Sequence, residues 1–190
     1  MRSERIYLMS MAASGKSTFA RENEFYSGYR IVDYARHLPP PRWWVRLLLY
    51  VGRPFPFVKR ALRNVRDLRA IDRKNYFAGV LEMIHSHDGP IAVLGRRLPE
   101  DFRDSGIFDE VAVGLVLIPE ERHRQNCLSR RKEMRNPFPF LHHWTTDFDK
   151  VRAVREEMRA FAERHGVPVF EDFRTAIEQL GAPARRQVEG

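Results

Sequence analysis

The run Ser10-Met11-Ala12-Ala13-Ser14-Gly15-Lys16-Ser17-Thr18 joins small residues to a Gly-Lys-Ser-Thr ending, directly after the apolar stretch Ile6-Tyr7-Leu8-Met9. A strand, a loop of small residues and then a helix is the setting in which this pattern binds phosphate. The backbone N–H groups of Ala13, Ser14, Gly15, Lys16, Ser17 and Thr18 can curl into a nest at a helix start, where unpaired amides attract anions. Lys16 has the length and charge to reach the β- and γ-phosphates of a nucleotide, and the Ser17 hydroxyl suits Mg²⁺. ATP with Mg²⁺ is therefore the expected ligand pair. The first glycine of the usual spacing is replaced by Ser10; the residues after it remain small enough for close approach of a phosphate. A competing reading leaves Gly15 as no more than a helix opener.

Two further groups extend this chemistry. Asp33-Tyr34-Ala35-Arg36 places a carboxylate and a guanidinium three residues apart at the end of a short β-branched stretch. There Asp33 can take the proton of an attacking hydroxyl while Arg36 holds a phosphate or the acceptor; the alternative role of Asp33 is a helix N-cap. Farther on, Arg130 and Arg131 end an arginine-rich helix, where they can neutralise charge on a transferring phosphate or simply form a solvated face. Arg96 and Arg97 follow a buried strand, at the end of which open α/β sheets bind ligands. His85, His87, His142 and His143 lack a metal-ligand spacing and are read as surface or loop residues, Asp147 and Asp149 as helix-capping groups, and the single Cys127 as incidental.

These residues need a frame. Strands are expected at Ile6–Met9, at Tyr29–Val32 ending on Asp33, at Ile91–Gly95, at Val111–Ile118 stopped by Pro119, and at Val167–Phe170, the last an edge strand because of Pro168. Helices are expected after the loop, at Asn75–His87, Glu120–Lys132, Asp149–His165 and Phe173–Leu180, with a polar, disordered tail from Gly181. Alternating strands and helices imply a parallel sheet covered on both faces. The expected fold is α/β, a three-layer αβα phosphate-loop architecture of about five strands. It forms one domain over residues 1–181, with a basic helical insert at about 38–75 and a flexible tail at 182–190.

The insert carries the charge. Of a net +8, ten basic and two acidic residues lie between Arg42 and Lys74, so the rest of the chain is neutral overall. A basic excess of this kind points to a polyanionic partner. Arg60 and Arg63 can bind phosphates, and Trp43 and Trp44 can stack bases of a single strand or an extruded nucleotide, or else form a small core for the insert. DNA is thus an expected substrate partner. No run of 18 apolar residues and no secretory layout is present, so a cytoplasmic protein without a membrane partner is expected.

Together, Gly15 to Ala20, Asp33-x-x-Arg36, and a proline-ended strand followed by Arg130 resemble the 5′-hydroxyl kinase module of phage polynucleotide kinase. The resemblance covers about 130 residues loosely. It implies Asp33 as general base, Arg36 on the substrate phosphate and Arg130 on the nucleotide's phosphates. Size and basic insert are also similar to the phage DNA kinases that phosphorylate the hydroxymethyl group of 5-hydroxymethyluracil in DNA, a reaction in which the host cytoplasm would be the compartment. A base hydroxymethyl is a primary alcohol like a 5′-hydroxyl, but it must be flipped out of a duplex, and the insert offers surface for that. That acceptor is favoured over the 5′ end. The chain departs from the polynucleotide kinase pattern at Ser10, at Gly95-Arg96-Arg97 where an acidic residue would aid Mg²⁺, and in the insert itself. A small-molecule nucleoside or nucleotide kinase, and a nucleic-acid-binding ATPase without transfer, remain the alternatives.

Overall fold

The computed structural model describes residues 4–37, 76–96, 106–133 and 148–181. A six-stranded sheet runs through them. Its strands are β1 (Arg5–Ser10), β2 (Phe25–Tyr26), β3 (Tyr29–Asp33), β4 (Ile91–Gly95), β5 (Ala112–Val116) and β6 (Val169–Phe170), in the order β2-β3-β4-β1-β5-β6. All neighbouring pairs are parallel except β2 with β3. β1 lies between β4 and β5, with Met9 beside Gly95 and Ser10 beside Val116. The chain thus runs first to one side of β1 and then to the other, which leaves a crevice beyond the strands' C-terminal ends.

The helices are α1 (Lys16–Glu22), α2 (76–85), α3 (Ile107–Glu110), α4 (Glu120–Glu133), α5 (Phe148–His165) and α6 (Phe173–Gly181), with a 3₁₀ turn at Tyr34–Arg36 after β3. Side chains alternate across β1, so each helix layer receives half of them. Ile6 and Leu8 pack with Tyr29, Ile31, Phe173 and Ile177, with Phe19 and Ala20 of α1 against them. Tyr7 and Met9 pack on the other face with Tyr76, Phe77, Val80 and Ile84 of α2 and with Val151, Met158 and Phe161 of α5. Burying such side chains contributes about 1.5–3 kcal/mol each. The three-layer αβα expectation holds for the described residues.

Several expectations change. The sheet has a sixth strand, because Ser27 at φ 52 and Gly28 at φ 85 turn the chain in a two-residue hairpin that adds β2 to the outer edge of β3. The fourth expected strand narrows to Ala112–Val116 and the last to Val169–Phe170; the latter lies at the sheet edge, as Pro168 required. Gly181, expected to open the tail, is the final residue of α6 and is buried, because a side chain there would run into Tyr29. Among the described residues no helix is long and apolar enough to cross a membrane. The insert at 38–75 and the tail at 182–190 lie outside the described residues.

Candidate active site

β1 ends at Ser10, and the loop to α1 follows at once. Ser10 is fully buried in ordinary strand conformation, and its Oγ donates to the Gly95 carbonyl at 3.4 Å. No glycine is needed at that position; the left-handed residues of the loop are Ala13 at φ 63 and Gly15 at φ 87. Gly15 takes that conformation without cost and its carbonyl accepts from Phe19 N, starting α1. As at any helix start, the first amides of α1 have no carbonyl partner within the helix.

Two side chains of the loop stand out. Ser14 Oγ is buried with no hydrogen-bond partner, and a buried orphan of this kind calls for an explanation. Lys16 is buried, its Nζ folded back onto the Met11 carbonyl at 3.3 Å. A phosphate in the loop would give Ser14 a partner and draw Lys16 forward.

Asp33, at the end of β3, reaches the same place from the neighbouring strand. It is buried, and its Oδ2 accepts the Ser17 hydroxyl at 2.5 Å while Oδ1 accepts the Ala35 N–H at 3.2 Å. The capping role and the contact with the loop are therefore both present, one on each oxygen. With its hydrogen directed at Asp33, the Ser17 hydroxyl keeps its lone pairs free for a cation, so Ser17 fits a Mg²⁺ ligand. Arg36 lies alongside, with Nη2 donating to the Ser17 carbonyl at 3.2 Å and Nε 3.8 Å from Asp33 Oδ2. Ser17, Asp33 and Arg36 are thus in contact at the start of α1, next to Lys16 in the chain. Thr18 follows them on α1 and is exposed.

Gly95 carries no acidic side chain for a physical reason: a Cβ there would lie 1.8 Å from the Tyr7 hydroxyl. Tyr7 in turn contacts the Tyr76 hydroxyl at 3.4 Å, and that hydroxyl accepts the Arg96 N–H at 3.4 Å. Arg96 is exposed beyond β4. Arg130 and Arg131 fall within the last turns of α4, with side chains outside the described set; Trp43, Trp44, Arg60, Arg63, Arg97, His142, His143 and Asp147 also lie outside the described residues. His85 pairs at 2.7 Å with Glu110 on the surface, Asp149 falls in the first turn of α5, and Cys127 is buried in α4.

The sequence reading missed what α4 does. His123, fully buried, bonds through Nε2 to the Ala12 carbonyl at 2.8 Å, and Asn126 Nδ2 donates to the Ala13 carbonyl at 3.0 Å. Behind the histidine, Arg155 of α5 donates from Nη1 to His123 Nδ1 at 3.3 Å and to the Ile118 carbonyl at 2.9 Å. Because Arg155 can only donate, Nδ1 is the acceptor and the proton sits on Nε2. Burial holds this imidazole below the usual histidine range; the Arg155 charge adds to that, against the Ala12 carbonyl bond. The i, i+3 pair His123 and Asn126 was the available signal, hidden among the charges of the helix.

A groove of about 320 Å³ is lined by residues that include Ala20, Glu24, Met83, Ser86 and His87, with Asp33 and Arg36 in its wall.

No protein-family model matches the chain, and no curated protein matches it in sequence. Among solved structures it is similar to deoxyadenosine kinase from M. mycoides with bound dATP, at 14% identity over 93% of this chain and 96% of that one, with a TM-score of 0.46. It is also similar to shikimate kinase from Bacteroides thetaiotaomicron, at 16% identity over 93% of each chain, with a TM-score of 0.47. Likeness at this level assigns no activity to the chain.

Proposed function

We propose that this chain is a phosphotransferase that moves the γ-phosphate of ATP to an alcohol, with Mg²⁺ held by Ser17, and Asp33 serving the acceptor. The observation that carries the reading is the 2.5 Å contact from Ser17 to Asp33, beside a loop whose buried Ser14 hydroxyl lacks a partner. One element supplies the phosphate grip and the next strand supplies a carboxylate within reach of the same point. Bound Mg²⁺ supplies charge neutralisation for the phosphates. Lys16, released from Met11, reaches the β- and γ-phosphates, and Asp33 orients the acceptor hydroxyl and takes its proton. Arg36 contacts the acceptor or the transferred phosphate, and Arg130 and Arg131 are assigned to the nucleotide's phosphates. Little covalent work falls to the protein; rate comes from alignment and charge.

The acceptor we propose is a hydroxyl on DNA, the hydroxymethyl group of 5-hydroxymethyluracil before the 5′ end. Support for it is the net +8 confined to residues 42–74 and the aromatics set among those arginines. A second reading, a small-molecule acceptor, is favoured by the groove of about 320 Å³ that includes Asp33 and Arg36, a volume in the range of small-ligand sites.

Transfer from γ-labelled ATP to three acceptors in parallel separates these readings: end-blocked DNA containing 5-hydroxymethyluracil, ordinary DNA with free 5′-hydroxyls, and a mixture of nucleosides and monophosphates. Label in the first is the expected result. Label confined to the second moves the acceptor to the 5′ end, label confined to the third sinks the nucleic-acid reading, and ATP hydrolysis with no labelled product favours a nucleic-acid-binding ATPase.

A further inference from the structure

The phosphate loop does not hold its shape alone. Ala13 has φ 63, a left-handed conformation that costs a residue with a Cβ about 1–2 kcal/mol. Such a conformation persists only where the surroundings impose it. The peptide planes on either side of Ala13 are each held by one side chain of α4. Ala12 O is bonded to His123 Nε2 at 2.8 Å and Ala13 O to Asn126 Nδ2 at 3.0 Å. In a trans peptide the N–H points opposite to the C=O. Fixing these two carbonyls toward α4 therefore turns the N–H groups of Ala13 and Ser14 away from it, that of Ser14 toward the Met11 carbonyl at 3.4 Å.

The histidine is itself held. Arg155 Nη1 donates to His123 Nδ1 at 3.3 Å, and the same Nη1 is fixed by the Ile118 carbonyl at 2.9 Å, the residue that leads from β5 into α4. His123 and Arg155 are 1% and 6% exposed, so water cannot replace these bonds cheaply. A surface role would not require burying an arginine and a histidine face to face; a loop that must be kept in a strained shape would.

We propose that His123 and Asn126, backed by Arg155, are positioning residues for the phosphate loop: they set the two peptide planes around Ala13 before a nucleotide arrives. This deepens the phosphotransferase reading and rests on the loop's binding of a nucleotide. It also ties the loop to the helix that carries Arg130 and Arg131, so the two phosphate-binding elements keep a fixed relation through a contact distinct from the chemistry.

The test is a calorimetric titration of the full chain with Mg·ATP, paired with thermal melting, for wild type, His123→Ala, His123→Gln and Asn126→Ala. Gln places an N–H near the position of Nε2, and Asn126 is only partly buried, so these two variants disturb the packing least and the melts report which variants are folded. The expected result is an affinity for Mg·ATP about tenfold weaker in His123→Ala and in Asn126→Ala, the equivalent of one lost hydrogen bond. His123→Gln should return to within about threefold of wild type on the same ground. Folded Ala variants that bind Mg·ATP as wild type does would overturn the positioning role while leaving the loop a nucleotide site. A wild type that binds no Mg·ATP would overturn the nucleotide reading and this proposal with it.

Discussion

Gly15 and Gly95 are glycines for opposite reasons, and each gives a prediction at the scale of one residue. Gly15 has open space around its Cα and needs glycine only for φ 87, so Gly15→Ala should cost about 1–2 kcal/mol of backbone strain. Urea melts check this, and a loss below a few tenths of a kcal/mol would contradict the left-handed assignment. Gly95 has ordinary backbone but no room, since its Cβ would meet the Tyr7 hydroxyl and ring. Gly95→Ala should destabilise by about 1–3 kcal/mol through overpacking. Tyr7→Phe, which removes the nearest atom, should recover part of that loss; no recovery would place the clash elsewhere. The Gly-Lys-Ser-Thr ending and Asp33 were legible because their chemistry depends on residue type at fixed spacing. The Ala13 strain was not, because nothing in an Ala-Ala dipeptide announces a positive φ.

At the scale of the element, α4 is the part the sequence concealed. Its arginines and glutamates read as a solvated face, and they masked His123, Asn126 and Cys127, which turn inward. Hydrophobic periodicity finds helices that bury apolar stripes; a helix that buries a histidine against a backbone carbonyl leaves no such stripe. The consequence can be measured. The folded protein keeps His123 neutral, with Arg155, Glu120 and Lys16 as the charged groups around it, and burial lowers its pKa. The unfolded chain takes up the proton near pH 6.5 and the folded chain only at lower pH. Between those points the unfolded state binds more protons, so stability falls as pH drops from about 6.5 and levels off below the folded pKa. Urea melts at about pH 7.5 and about pH 5.5 should show a smaller acid loss in His123→Gln than in wild type. Equal losses would mean that His123 is not the group that titrates. The Ser27-Gly28 turn also went unread, because the strands it joins are too short for an alternating pattern.

At the scale of the molecule, the parallel sheet and its two helix layers followed from the alternation of strands and helices, and the apolar runs Ile91–Gly95 and Ala112–Val116 are buried almost throughout. The strand order did not, because alternation does not say on which side of β1 each strand lands. The charge distribution carries a separate expectation. If the net +8 of residues 42–74 is the acceptor surface, charge reversal at Arg60 and Arg63 should raise the apparent KM for DNA and flatten its salt dependence, leaving Mg·ATP affinity unchanged. Equal weakening of both ligands would show that this segment does not serve DNA. The central claim is narrower: Asp33 and Ser17 together run phosphate transfer. It is tested most directly by single-turnover transfer from γ-labelled ATP by Asp33→Asn beside wild type, with Mg·ATP binding measured on the same samples. Retained binding with transfer lowered by about 10² or more is the predicted result, the scale expected for a lost general base. Transfer within a few-fold of wild type would contradict it.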